Sequence, residues 1–345
     1  MNLQKFSAPR LAATTLAVCA TLLTTCVSAD GMDRELYSDR AEVRQFIDEM
    51  VQAHGFDPAR LTDLFAATPQ IPKVIQLIKP PADPGIRSWA TYRQRFIEPV
   101  RIKAGKKFMA RYATELARAE ARYGVPREII VGVIGVETIY GKHTGNFGTF
   151  AALTTLAFDY PPRAELFRKE LRELLLLARS EKRPVADYRG SFAGALGLPQ
   201  FLPSSIRAYA VDFDGDGHID LQASAADAIG SVANYLSSHG WERDQPVAAT
   251  VSISGDPLST AIAEGIEPKQ TVADWEARGL QLQKVGGGGT ALEELRALPA
   301  AVIDLVTPNA ATEYRLGFRN FYAITRYNRS TFYASAVMDL AQALK

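Results

Sequence analysis

The stretch that decides the reading is Val131-Gly132-Val133-Ile134-Gly135-Val136-Glu137-Thr138-Ile139-Tyr140-Gly141. A single carboxylate, Glu137, stands in an otherwise apolar run. Proline is well placed at the start of a helix, where its missing N–H costs nothing, and glycine favours helix ends. The segment from Pro126 to Tyr140, closed by Gly141, therefore reads as one helix. Its apolar residues fall almost all round, the mark of a helix buried on most sides. A buried carboxylate has to be neutralised, paired or used. Near the C-terminal end of a helix it also meets the negative end of the macrodipole, so burial and dipole both push its pKa upward. That suits a general acid at neutral pH, and equally a structural glutamate bonded to a neighbour.

Working outward, the pattern on the N-terminal side is helical. Apolar residues recur at helical spacing from Asp33 to Ala53, and shorter pieces follow at Pro58–Ala67 and Pro72–Lys79. Pro80, Pro81, Pro84 and Gly85 mark an extended break before Trp89–Ile97, and Val100–Tyr123 reads as one long charged amphipathic helix ended by Gly124. On the C-terminal side come a Gly-rich turn at 141–148, helical Phe150–Phe158 and amphipathic Arg163–Ser180. After these lie a Gly-, Ser- and Pro-punctuated segment at Tyr188–Ala210 and a helix at Asp227–Ser238 stopped by Gly240. From about Glu242 the character changes. Val247–Ile253 and Ala301–Val306 carry β-branched residues, Tyr314–Phe318 looks extended, a short helix fits near Val272–Arg278, and Gly286–Gly289 is a loop. Helical pattern resumes at Ser330–Leu344.

With 345 residues, 47% of them apolar and 22% charged, the chain can bury a large core. A net charge of +1 with no basic block argues against nucleic acid as a partner and gives no support to a polyanionic surface. The N-terminus is a targeting segment. Lys5 and Arg10 precede the small-residue apolar run Leu11–Leu23, and Val27-Ser28-Ala29 offers a cleavage site, which predicts export to the periplasm. Both cysteines, Cys19 and Cys26, fall in that segment, so the mature chain would hold no disulfide. Leu23-Thr24-Thr25-Cys26 offers an alternative, lipidation at Cys26 and an outer-membrane attachment, although Thr25 is a poor residue before such a cysteine.

Three further segments can carry chemistry. Asp212-Phe213-Asp214-Gly215-Asp216-Gly217-His218-Ile219-Asp220 opens like an EF-hand loop: alternate carboxylates converge on a hard cation, glycine allows the turn, and the His218 carbonyl supplies the seventh position. Ala223 stands where the closing glutamate belongs, and Asp227 can take its place. Calcium in a stabilising role is the expected occupant, with a solvated Asp/Gly turn as the bland reading. In Gly190–Phe201, small residues permit close backbone approach, and Ser191 and Gln200 can hydrogen-bond a sugar, or the segment simply packs tightly. Tyr327-Asn328-Arg329-Ser330-Thr331-Phe332-Tyr333 joins rings with amides and hydroxyls, suited to stacking on sugars or to a core edge. Ser191 lacks a G-x-S-x-G setting and the four histidines form no metal-ligand pair, which disfavours a serine hydrolase or a zinc enzyme.

Together, Val133–Thr138, Gly190–Ala195, Pro199–Ser205, Asp212–Gly217 and Thr325–Asn328 resemble, in order, the membrane-bound lytic murein transglycosylase B family, and the resemblance runs from about residue 35 to the C-terminus. It implies a mainly α (α+β) protein with a lysozyme-like helical core. The expected division is a signal peptide at 1–29, an N-terminal helical domain at 30–122 and the catalytic core at 123–242. A small β-containing domain at 243–317 and a segment at 318–345 returning to the core complete it. It implies peptidoglycan glycan strands as substrate, cell-wall synthesis or division proteins as partners, and a monomer. By that resemblance Glu137 matches the catalytic acid/base. Tyr92, Ser191, Gln200, Tyr235, Tyr327, Asn328 and Tyr333 match the sugar cleft, and Asp212, Asp214, Asp216, His218 and Asp227 match the metal site. Leu166 departs from the pattern, replacing a cleft tyrosine. The implied reaction is cleavage of the MurNAc-β-1,4-GlcNAc bond with closure to a 1,6-anhydromuramyl end by one glutamate. The alternatives are a hydrolytic muramidase with a second acid, for which Asp159 is the candidate, and a non-catalytic peptidoglycan-binding protein.

Overall fold

The computed structural model describes residues 35–80, 87–253, 258–286 and 292–345. The leader reading, both cysteines and most of the Pro80–Gly85 and Gly286–Gly289 breaks lie outside these residues. Among the described residues the protein is mainly helical, with a five-stranded sheet and a two-residue ladder, and its main core gathers around the apolar helix Arg127–Thr138. Ile129 to Val136 of that helix are all buried, as an all-round apolar pattern requires. Its closest neighbour is the C-terminal helix Thr331–Leu344: a Cβ on Gly132 would come within 2.9 Å of the Val337 carbonyl oxygen, so glycine permits the two backbones to approach.

The catalytic-looking helix ends earlier than its sequence suggests. It stops at Thr138, and Ile139 (φ 51°) and Tyr140 (φ 58°) both take left-handed backbone before Gly141 is reached. This conformation is costly for a β-branched isoleucine. Packing imposes it. The Tyr140 ring folds back between this helix and Pro99–Arg111, into a slot left by Gly105 and Gly135; a Cβ on Gly135 would lie 2.6 Å from the Tyr140 Oη. The long amphipathic helix expected over Val100–Tyr123 is in fact two helices, Pro99–Arg111 and Ala113–Tyr123, broken at Tyr112 (φ −114°, ψ 34°). Phe108 holds the Tyr112 ring at 4.7 Å and the Tyr140 ring at 5.5 Å, so the break seats an aromatic cluster that helical periodicity does not reveal.

Ala41–His54, Pro58–Ala66 and Pro72–Ile78 form the N-terminal helices, and Thr149–Asp159, Ala164–Ser180, Pro203–Tyr209 and Ala225–Ser238 complete the part around the core. A two-residue ladder, β1 (Phe147–Gly148) with β2 (Arg189–Gly190), ties the turn after Glu137 to the Ser191 segment. The remaining strands are β3 (Ala248–Ile253), β4 (Gln270–Thr271), β5 (Leu280–Gly286), β6 (Pro299–Leu305) and β7 (Glu313–Gly317). They form one antiparallel sheet in the order β4-β6-β7-β3-β5. Side chains alternate across a strand. On β6, Ile303 and Leu305 face the main core, whereas Ala300 and Val302 face a second small core with Val251, Trp275 and Phe318. The sheet is thus buried on both faces at β6, which is why Ala300–Ile303 reads as an unbroken apolar run before Asp304. The sequence reading omits β4, β5 and the helix Arg319–Tyr327.

Candidate active site

Glu137 stands on the last turn of its helix, and the Tyr333 hydroxyl donates to its Oε1 at 2.6 Å. Part of the side chain remains accessible, yet the surrounding packing is dense. Loss of hydration pushes the carboxyl up to about 7, and the Tyr333 hydrogen bond pulls the other way. The group is poised to hold a proton near neutral pH and to release it.

The tyrosines form a connected wall. Tyr333 and Tyr327 stack with centroids 6.2 Å apart, Tyr327 meets Tyr235 edge-on at 4.9 Å, and the Tyr327 hydroxyl donates to the Pro199 carbonyl. Tyr92 packs against Phe96 and Phe332 at 5.0 and 5.6 Å, and burial together with the nearby Glu137 charge raises its phenol pKa. Tyr235 is committed within the protein: it is buried, its hydroxyl donates to the Arg326 carbonyl at 2.7 Å, and its ring stacks on His239. It therefore backs the wall instead of presenting a free hydroxyl. Asn328 caps the helix Arg319–Tyr327 and is exposed, with no side-chain hydrogen bond among the described residues.

Ser191 and Gln200 shape their own segment. Ser191 Oγ accepts the N–H groups of Ala193 (3.3 Å) and Ala195 (3.0 Å), closing a tight turn that leaves its proton available. Gln200, in left-handed backbone, donates through Nε2 to the Thr144 and Gly197 carbonyls at 3.1 and 2.8 Å, which leaves its amide oxygen available to a ligand. Two residues the sequence reading passes over complete the setting. Buried Thr138 donates to the Leu198 carbonyl (2.9 Å) and accepts the Gly141 N–H (2.9 Å), joining the Glu137 helix to the Ser191–Gln200 segment. Buried Arg101 donates to the Gly135 carbonyl at 2.7 Å, satisfying the helix end from the far side. Thr138 was detectable as a polar neighbour of Glu137; Arg101 carries no local signal.

Asp159, the candidate second acid, is engaged elsewhere. It accepts from Tyr37 (2.5 Å), Gln70 (2.8 Å) and Arg40 (2.5 Å), all on the N-terminal elements.

In the acidic loop, Asp212, Asp214 and Asp227 each offer a carboxylate oxygen within 4.8 Å of the others. The Asp216 carboxylate is not part of that group; it accepts the His218 N–H at 2.8 Å, and His218 is exposed. Asp227, buried at the start of its helix, accepts from the N–H groups of Phe213 (2.7 Å) and Asp220 (2.8 Å), and burial raises its pKa. Three hard oxygen donors converging on one point fit a divalent cation of the calcium type.

A helical fold that sets one desolvated carboxylate against an aromatic wall belongs to the class of lysozyme-like glycan-cleaving enzymes. The Transglycosylase SLT domain family matches residues 38–342. The membrane-bound lytic murein transglycosylase B of Escherichia coli K12 is 41% identical over 317 residues, 89% of this chain and 84% of that protein. The structure is similar to that of the Escherichia coli lytic transglycosylase Slt35 in complex with calcium (TM-score 0.78, 41% identity, 89% of this chain and 94% of that one). It is also similar to SltB3 from Pseudomonas aeruginosa in complex with NAG-anhNAM-pentapeptide (TM-score 0.73, 32% identity, 88% and 78%). The chain belongs to the Transglycosylase SLT domain family and is a peptidoglycan lytic transglycosylase, a lyase acting on glycan.

Proposed function

We propose that the enzyme cleaves the MurNAc-β-1,4-GlcNAc bond and leaves 1,6-anhydromuramyl ends, with Glu137 as its only acid/base. The observation that carries this reading is the single carboxylate held at a pKa of about 7 by burial, beneath Tyr333 and beside Tyr92 and Tyr327. Protonated, it donates to the glycosidic oxygen as positive charge develops at the muramyl C1. Ionised, it takes the proton of the muramyl C6 hydroxyl, whose oxygen closes onto C1. Two facts favour this over hydrolysis: Asp159 is committed to Tyr37, Arg40 and Gln70, and the related SltB3 was solved with an anhydro sugar. Ser191, Gln200 and Asn328 are the polar groups available to orient the sugar, and Tyr92, Tyr327 and Tyr333 its flanking rings; Tyr235 supports them from behind.

Asp212, Asp214 and Asp227 would hold calcium, with Asp216 and the His218 carbonyl as outer contributors, and the ion would tie the loop to the Ala225–Ser238 helix. The calcium complex of Slt35 supports that assignment. The domain division at about 122, 242 and 317 is retained in this proposal, as is export by a leader at 1–29, with lipidation of Cys26 as the alternative. Among the described residues no helix is long and apolar enough to cross a membrane. Mass spectrometry of murein digested by the wild type and by Glu137→Gln tests the chemistry. Anhydro ends from the wild type and none from the variant are expected; wholly reducing ends would sink the proposal.

A further inference from the structure

We infer that the groove between the 264–269 loop and the helix Arg319–Tyr327 is a second recognition site. It takes the carboxylates of the peptide stems carried by the glycan, through Arg326 and Arg329. The groove has a volume of about 350 Å³, and its charged lining is Glu264, Glu267, Lys269, Arg326 and Arg329. Its acids already have partners: Glu264 pairs with Arg278 at 3.0 Å and Glu267 with Lys269 at 3.3 Å. Among the described residues, neither Arg326 nor Arg329 has a carboxylate partner. The loop is anchored, because Ile266 packs on the main core, and Arg326 lies along the Tyr322 ring at 5.6 Å. In a chain of net charge +1, this is a local excess of two cations that overall charge conceals.

Its position gives the excess a meaning. The Tyr235 hydroxyl donates to the Arg326 carbonyl, and Tyr235 meets Tyr327 edge-on, so the groove's helix also carries the back of the aromatic wall whose other members reach Glu137, within the span of a peptide stem. The sugars offer no anion to this groove once the muramyl lactyl group is joined to peptide. The peptide stems do, in their free carboxylates, and a guanidinium fork matches a carboxylate in shape and charge. The inference rests on the reading that the Glu137 cleft binds glycan.

The test is co-sedimentation of full-length Glu137→Gln protein with insoluble murein, either native or with its stem carboxyls converted to amides by carbodiimide and ammonia. Adding Arg326→Gln and Arg329→Gln is expected to weaken binding to native murein about tenfold, the loss of roughly one charge-assisted contact. Binding to blocked murein should stay unchanged. Arg329→Gln alone, at an exposed turn residue, should move in the same direction by about threefold, which covers the case in which the double variant folds poorly. Equal binding of variant and parent to native murein, or the same loss on blocked murein, would overturn the inference. Retention of the parent on blocked murein separately reads the cleft: loss there overturns the cleft reading, whereas loss of the native-over-blocked difference overturns this one.

Discussion

Between pH 4.5, the ordinary value for a glutamate, and about 7, Glu137 keeps a proton in the native chain that the unfolded chain gives up. Native stability therefore falls as pH rises through that window, and the cost is full above 7 and absent below 4.5. Glu137→Gln should accordingly be more stable than the wild type at pH 8, by about 3 kcal/mol, and match it at pH 4; a variant less stable at pH 8 would contradict the burial argument. The same titration sets activity: kcat/KM should decline as pH climbs past about 7 and the acid is lost. Thr138→Val removes the hydroxyl that joins Leu198 and Gly141, at a cost of about 1–2 kcal/mol. It should lower kcat more than it raises KM, while Thr138→Ser restores both. At this scale the sequence identified the carboxylate but not its holders. Tyr333 is 196 positions from Glu137, and no local pattern connects them.

Elements were legible where a local signal set them and misread where a distant side chain did. Ser330 and Ser224 cap their helices with side chains that accept from Tyr333 and Asp227 N–H groups, as short-range rules anticipate. The Glu137 helix follows another rule, since its end is fixed by Tyr140 entering the Gly105–Gly135 slot. Gly135→Ala should expel that ring, cost about 1–3 kcal/mol as overpacking, and reduce kcat because Thr138 and Glu137 shift with it; a variant of unchanged melting temperature and rate would show the slot to be slack. Strand β5 was missed because its sequence, Leu280-Gln281-Leu282-Gln283, gives only a short alternation, and pairing with β3 supplies the rest.

For the molecule as a whole, Asp159 binds the N-terminal helices to the core. Asp159→Asn should lower stability by about 2–4 kcal/mol, the range for a broken part-buried ion pair, while digests still carry anhydro ends. Loss of cleavage in a folded Asp159→Asn protein would instead make Asp159 the second catalytic carboxylate. Calcium at about a hundredfold excess over its Kd adds about 2.7 kcal/mol to the state that binds it. EDTA should therefore lower the melting temperature and calcium restore it, and an unchanged melting curve would count against the Asp212–Asp227 site.

What the sequence determined by itself was whatever rests on neighbours in the chain: the buried helix carrying Glu137, the order of the acidic and Ser191 segments, and the mixed helical and β character. Only the tertiary structure decided which groups face one another. It placed Tyr333 on Glu137, Thr138 under Leu198, Asp159 with Tyr37, Arg40 and Gln70, and Arg326 and Arg329 in one groove with the 264–269 loop. The physical reason is that hydration, charge compensation and steric room belong to a site in space. Burial raises a pKa, and pairing cancels a charge, through atoms brought together by folding from positions as far as 246 residues apart.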